Sequence, residues 1–293
     1  MSKKNRKEYI VFGVIAVLTA GFMIATAQIG PKKYYPFDDS KLQIVFLGDS
    51  NIANRIEGVK VSERVAEALD GEVYNAAVGG TTAAKVNTDN YVDRTADLFC
   101  LYNLSKIIEI EEQQPLLDFR AMMPANEQKA IARANMLTQI EYEEIDYIVI
   151  SYGVNEYTSG IPAVCGENPY DETTYEGALR SSVERIGRAC PNGTIILSSI
   201  SYCAYVKEGE AVQDGYVYNP GGGYLAEYRD AAKKVASEYD NVVFMDNLEL
   251  LGIDAGNHEQ FLLDGIHFNE TAQKLFAEHL VSIITEIESN KDE

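Results

Sequence analysis

"LQIVFLGDSN", residues 42–51, sets how the rest of this chain is read. Its first seven residues are almost wholly apolar, the pattern of a strand covered on both faces rather than one with a wet side. Gly48-Asp49-Ser50-Asn51 then breaks the strand with turn chemistry, glycine permitting unusual backbone angles and Asp, Ser and Asn capping them. Such an ending is either a plain turn or a place where Ser50 is held at the carboxyl end of a strand, ready to react. The residue itself does not choose between the two; the other segments must.

Downstream, strands alternate with helices. "GEVYNAAV" (71–78), "IDYIVISYG" (145–153), "GTIILSSIS" (193–201) and "NVVFMD" (241–246) read as four further strands. "VKVSERVAEAL" (59–69), "TTYEGALRSSVERIGRA" (173–189) and "LAEYRDAAKKVASEY" (225–239) carry helical spacing between them. A last helix, "NETAQKLFAEHLVSIITEIE" (269–288), has Asn269 as its N-cap and Glu270 at its positive end. Residues 82–144 read as a helical insertion, with helices over 94–112 and 126–142 and breaks at Pro115 and Pro124. That insertion is either a cap beside a site or a helical pair buried for stability. The alternation predicts an α/β fold with a five-stranded, mostly parallel sheet and helices on both faces. In such sheets ligands bind at the carboxyl ends of the strands, where Ser50 sits.

The N-terminus is a separate unit. Ile10–Ile29 is a run of 20 uncharged residues, about 30 Å long as a helix and able to cross a bilayer core. Four basic residues precede it (Lys3, Lys4, Arg6, Lys7) and two follow (Lys32, Lys33), a bias that puts the N-terminus inside and the remainder outside. Residues 1–33 are therefore expected to be a basic tail with one transmembrane helix, and residues 34–293 the exported domain. The run is long for a signal peptide, which favours a retained anchor; Ala25-Thr26-Ala27 before Gln28 also fits a cleavage site, which gives a secreted form instead.

The 293 residues carry a net charge of −20, and residues 34–293 alone hold 19 basic and 44 acidic side chains. Such a surface repels nucleic acid and argues against a polyanionic substrate in a basic cleft. All four cysteines fall in the expected exported part, where disulfides persist. Cys190 and Cys203 flank the fourth strand and lie roughly 26 Å apart, beyond bridging distance. Cys165 and Cys203 belong to loops at one sheet edge and are the better pair, with free thiols as the other reading.

A serine nucleophile needs a base, a group to orient that base and donors for the oxyanion. Three histidines are available. His279 lies within the last helix and His258 in a loop without patterned neighbours. His267 stands in "LLDGIHFNE", three residues after Asp264, so one short loop offers both base and orienting carboxylate. "NAAVGGTT" after the second strand offers glycine N–H groups, and "SYGVNEY" after the third offers the Asn155 amide. Each has a plainer reading as a turn glycine or loop cap. "PGGGY" (220–224) lacks the Lys-Ser/Thr pair of a phosphate loop and reads as a flexible loop.

Taken in order, these segments resemble the SGNH hydrolases, also called the GDSL esterase and lipase family, from about Leu42 to Leu280. "GDSN" is similar to the first block of that family, "NAAVGGTT" to the second, "GVNE" to the third and "DGIH" to the last. The third block usually reads Gly-x-Asn-Asp; here Glu156 replaces the Asp, a change that bears on loop packing and leaves the Asn155 amide. The resemblance implies a flavodoxin-like three-layer α/β/α sandwich with no metal or organic cofactor. It implies Ser50 as nucleophile, His267 as base and Asp264 as its orienting partner. The oxyanion hole would be the N–H groups of Ser50 and Gly80 with the Asn155 side chain.

The expected activity is an extracellular serine esterase removing short acyl groups, acetyl above all, from a small molecule or polysaccharide. Tyr202, Tyr205, Tyr216, Tyr218 and Tyr224, around the fourth-strand loop, either stack on sugar rings or pack on one another. A lipase or lysophospholipase with an apolar acyl channel, and a membrane-anchored acyltransferase, are the alternatives. A non-catalytic wall-associated binding protein is the reading from another class. The oligomeric state stays open.

Overall fold

Strand β1 (Gln43–Gly48) is buried along its whole length, because its apolar side chains are covered from both sides. A computed structural model describes residues 38, 40–53, 60–86, 94–110, 113–122, 128–207 and 210–291. The expected anchor at residues 1–33 lies outside the described residues. Among the described residues, no helix is long and apolar enough to cross a membrane.

β1 pairs in parallel with β2 (Glu72–Asn75) on one side and β3 (Tyr147–Ser151) on the other. β4 (Thr194–Ser198) continues from β3, and past the hairpin of β5 (Tyr205–Lys207) and β6 (Glu210–Gln213), β7 (Val242–Met245) closes the edge. The five-stranded sheet is thus ordered β2-β1-β3-β4-β7 and wholly parallel, the flavodoxin-like order. The β5–β6 hairpin was not expected from the sequence.

Helix α1 (Val61–Leu69) crosses from β1 to β2. The insertion between β2 and β3 supplies α2 (Arg94–Leu98), α3 (Leu101–Ile110), α4 (Gln114–Met122) and α5 (Gln128–Leu137). The helix expected over 94–112 is split at Phe99-Cys100. The Leu101 and Tyr102 N–H groups, free at a helix start, donate to the carbonyls of Thr82 and Ala83 (2.9 and 3.1 Å). After β3 come α6 (Val154–Ser159) and α7 (Tyr175–Ala189), and after the hairpin α8 (Leu225–Ala236). A short α9 (Asn247–Leu250) and the long α10 (Glu270–Lys291) finish the chain. Because right-handed crossovers on either side of β1 run in opposite directions, α1 and α7 fall on opposite faces. α10 joins α1, while α3 and α8 flank α7. Asn269 caps α10, accepting from the Thr271 and Ala272 N–H groups (2.9 and 3.2 Å).

Two smaller expectations change, and a third, open between two readings, is narrowed. All four cysteines are free thiols. Cys165 is turned toward α7, where its sulfur accepts from Arg180 (3.9 Å) and its N–H donates to Glu176 (3.3 Å), while Cys203 is buried in the core, so no Cys165–Cys203 bridge forms. The Pro220–Tyr224 loop is pinned rather than loose, with Asn219 Oδ1 accepting from Gly221 and Gly223 and the Ala163 N–H donating to the Gly222 carbonyl. The tyrosines pair with one another, Tyr202 against Tyr216 at 5.2 Å and Tyr205 against Tyr218 at 4.4 Å between ring centroids.

Candidate active site

The first turn of the site is made where β1 stops. A side chain at Gly48 has no room, since a Cβ there would lie 2.6 Å from the Ser151 carbonyl oxygen and 2.5 Å from Ile52 Cδ1. Beyond it the Asp49 N–H still donates to the Ser151 carbonyl (3.2 Å), and Asp49 Oδ1 accepts from the Asn51 N–H (3.0 Å). Asp49 therefore closes a turn over Ser50 with its own carboxylate. That carboxylate is buried, which pushes it up to about 7 despite the Asn51 hydrogen bond.

The loop after β2 is locked to the same turn. Asn75 Nδ2 donates to the Ile52 carbonyl (2.7 Å), the Val78 N–H to Gly48 (3.0 Å) and Thr81 Oγ1 to Val78 (2.7 Å). Gly79 lies against the serine: a Cβ there would sit 3.3 Å from Ser50 Cβ. Gly80 follows at φ +80°, with open space where a side chain would point.

From the end of β3, α6 holds this loop with two neighbouring side chains. Asn155 Nδ2 donates to the Thr81 carbonyl (2.7 Å). Glu156, fully buried, accepts the N–H groups of Ala83 and Ala84 on Oε1, while Oε2 has no hydrogen-bond partner among the described residues. Burial pushes Glu156 up to about 7, the Ala84 and Ala83 bonds opposing it only in part. Through these bonds the carboxyl reaches the entrance of the insertion.

Asp264 and His267 come from the loop between Leu262 and Phe268, which bridge to each other. Asp264 Oδ1 accepts the N–H groups of Ile266 and His267 (3.1 and 2.9 Å), and Oδ2 meets His267 Nδ1 at 2.7 Å. Burial alone would raise the Asp264 carboxyl; the bonds from His267 outweigh it and hold the group below its ordinary value. This loop is fastened to the serine turn by the next residue, Phe268, whose N–H donates to Asn51 Oδ1 (3.1 Å). His258 and His279 lie elsewhere, the first against Tyr202 (6.3 Å between rings) and the second on α10.

Ser50, Gly79 and Gly80 line a cleft of about 430 Å³ together with Ala53, Ala77 and Val78. Its far wall is α5, through Lys129, Ala130 and Arg133. The insertion therefore stands beside the serine, and none of the five tyrosines lines the cleft. Sequence reading took Asn51 for a turn cap and passed over Arg133. The signal for the second was present: Lys129 and Arg133 are four apart on one helix face, an arrangement that costs stability unless something uses it.

No curated protein sequence matches the chain. Solved structures share its fold at low identity. A Lactobacillus plantarum protein is 18% identical with a TM-score of 0.56, the match covering 84% of this chain and 97% of that one. A possible lipase from Chitinophaga pinensis is 16% identical with a TM-score of 0.52, over 84% and 99%. Est24, a carbohydrate acetylesterase from Sinorhizobium meliloti, is 14% identical with a TM-score of 0.50, over 84% and 100%. Residues 46–275 match the model of the GDSL-like lipase/acylhydrolase family, well over half of the chain; the protein belongs to that family and is a serine ester hydrolase.

Proposed function

We propose that the chain hydrolyses short-chain carboxylic esters through an acyl-Ser50 intermediate. The observation that carries this reading is the Asn51–Phe268 hydrogen bond, which joins the Asp264–His267 loop to the serine turn. With Nδ1 facing Asp264, Nε2 is the basic nitrogen of His267. It takes the proton from Ser50 as Oγ attacks the ester carbonyl, and Asp264 stabilises the imidazolium that results. The N–H groups of Ser50 and Gly80 and the second N–H of the Asn155 amide receive the oxyanion. His267 then protonates the departing alkoxide, and water, deprotonated by the same imidazole, releases the acid from Ser50.

Ser50→Ala should abolish acetate release from 4-nitrophenyl acetate with an unchanged far-UV circular dichroism spectrum; activity retained in that variant refutes the assignment. Asn155→Ala should lower turnover by about 10²–10³.

Acetyl esters of carbohydrate are the substrates this reading favours. Its support is that a carbohydrate acetylesterase shares the fold and that the cleft wall carries two polar, charged side chains, Lys129 and Arg133. Activity that rises with acyl length on 4-nitrophenyl esters would point to a lipase instead. The same reading puts the domain outside the cytoplasm, tethered by Ile10–Ile29, on the strength of the basic residues before that run. Protease treatment of intact cells tests it: the domain should be cleaved from outside, and protection would refute the topology.

A further inference from the structure

The wall of the cleft carries two cations, Lys129 and Arg133, on a chain that is otherwise acidic. Several cations elsewhere are paired: Arg180 with Glu176 and Glu238, Arg188 with Glu109, Arg229 with Asp246. Among the described residues, no carboxylate lies within ion-pair distance of Lys129 or Arg133, although they share one face of α5 and repel each other. Arg133 is also fixed in place. Its Nε donates to the Ala77 carbonyl (2.9 Å), one Nη to Ala53 (3.1 Å) and the other to Lys129 (3.2 Å). These acceptors are uncharged backbone oxygens, so the guanidinium is oriented without being neutralised. Of its five N–H donors three are engaged among the described residues, leaving one on each Nη to donate to a ligand. Burial lowers its proton affinity. Ala53 follows the serine turn and Ala77 precedes Gly79, so the guanidinium is held in register with the reacting atoms.

We propose that the preferred substrates are esters bearing one carboxylate near the scissile acyl group, with Arg133 and Lys129 as its receptor. The proposal rests on the esterase reading of Ser50. It concerns a single anion: a polyanion would meet the field of a chain with net charge −20 before reaching the cleft.

The test compares acetate release from an O-acetylated methyl glucuronoside with release from its primary amide, which has the same ring and acetyl group without the charge. The expected ratio of kcat/KM, acid over amide, is about tenfold. Lys129→Gln, at an exposed position that should not disturb folding, and Arg133→Lys should each move the ratio toward one. A wild-type ratio of one or less, or a ratio unmoved in both variants, overturns the proposal. The amide substrate reads the underlying activity separately. If the wild type cleaves it and Ser50→Ala does not, the esterase reading stands whatever the ratio. If neither glucuronoside nor 4-nitrophenyl acetate is cleaved, that reading falls and takes the proposal with it.

Discussion

Glu156→Gln isolates what a buried carboxylate beside the site does to stability. In the folded protein burial keeps Glu156 protonated up to about pH 7, against an ordinary value of 4.5 for the unfolded chain. Between those values the folded state binds more protons than the unfolded one, so stability falls as pH rises through the window. Integrated from pH 5 to pH 8, this one group removes about 2–3 kcal/mol. Asp49, raised from 3.8 to about 7, also costs stability over this window, and its repulsion of Glu156 is part of what the variant removes. Glutamine keeps an oxygen for the Ala83 and Ala84 N–H groups and has no charge to bury. Urea unfolding at pH 5 and pH 8, followed by tyrosine fluorescence because the chain has 19 tyrosines and no tryptophan, measures the difference directly. The wild type should lose about 2–3 kcal/mol more than the variant between the two pH values, whatever the absolute stability of the variant. Equal losses would refute the claim that Glu156 is held protonated by its surroundings.

Three other substitutions probe how the loops are held together. Asn51→Ala removes the acceptor of the Phe268 N–H and should cost about 1–3 kcal/mol in urea unfolding while lowering kcat on 4-nitrophenyl acetate; unchanged kcat would mean that the histidine loop is placed by other contacts. Gly79→Ala brings a methyl to 3.3 Å from Ser50 Cβ and should cut kcat by about tenfold through displacement of the nucleophile. Asp264→Asn keeps the loop but offers His267 Nδ1 the wrong partner, and kcat should fall by about 10⁴ with little change in KM.

The fold was legible wherever a single physical demand governed a segment. Strands buried on both faces must be apolar, so β1, β3 and β4 stand out in the sequence, and Asn269 announces the start of α10 because a helix start needs an acceptor. What escaped was set by tertiary contacts. Nothing local in 94–112 signals the break at Phe99-Cys100, which exists because the N–H groups of α3 find carbonyls in the β2 loop. The tyrosines were ambiguous because one composition serves a sugar platform and a packed loop equally; only ring positions separate the two. Charge misled in a different way. A net of −20 describes the far field and excludes polyanions, but it averages over the pair on α5 that faces the cleft.

The departure at Glu156 links the insertion to the loop proposed to hold the oxyanion. Asn155 and Glu156 are neighbours on α6, yet they grip residues 81–84 from opposite chemical sides, the amide donating to the Thr81 carbonyl and the carboxyl accepting from Ala83 and Ala84. The carbonyls of Thr82 and Ala83 take the first N–H groups of α3, and the Ala84 carbonyl takes the Thr82 hydroxyl. Four consecutive residues directly after Gly80 are therefore fixed by α6 and by the insertion at once. A substitution that shifts α3 acts on the Gly80 N–H through this stretch without touching substrate. On that argument, lesions at the start of α3 should appear in kcat, where an oxyanion donor acts, before they appear in KM.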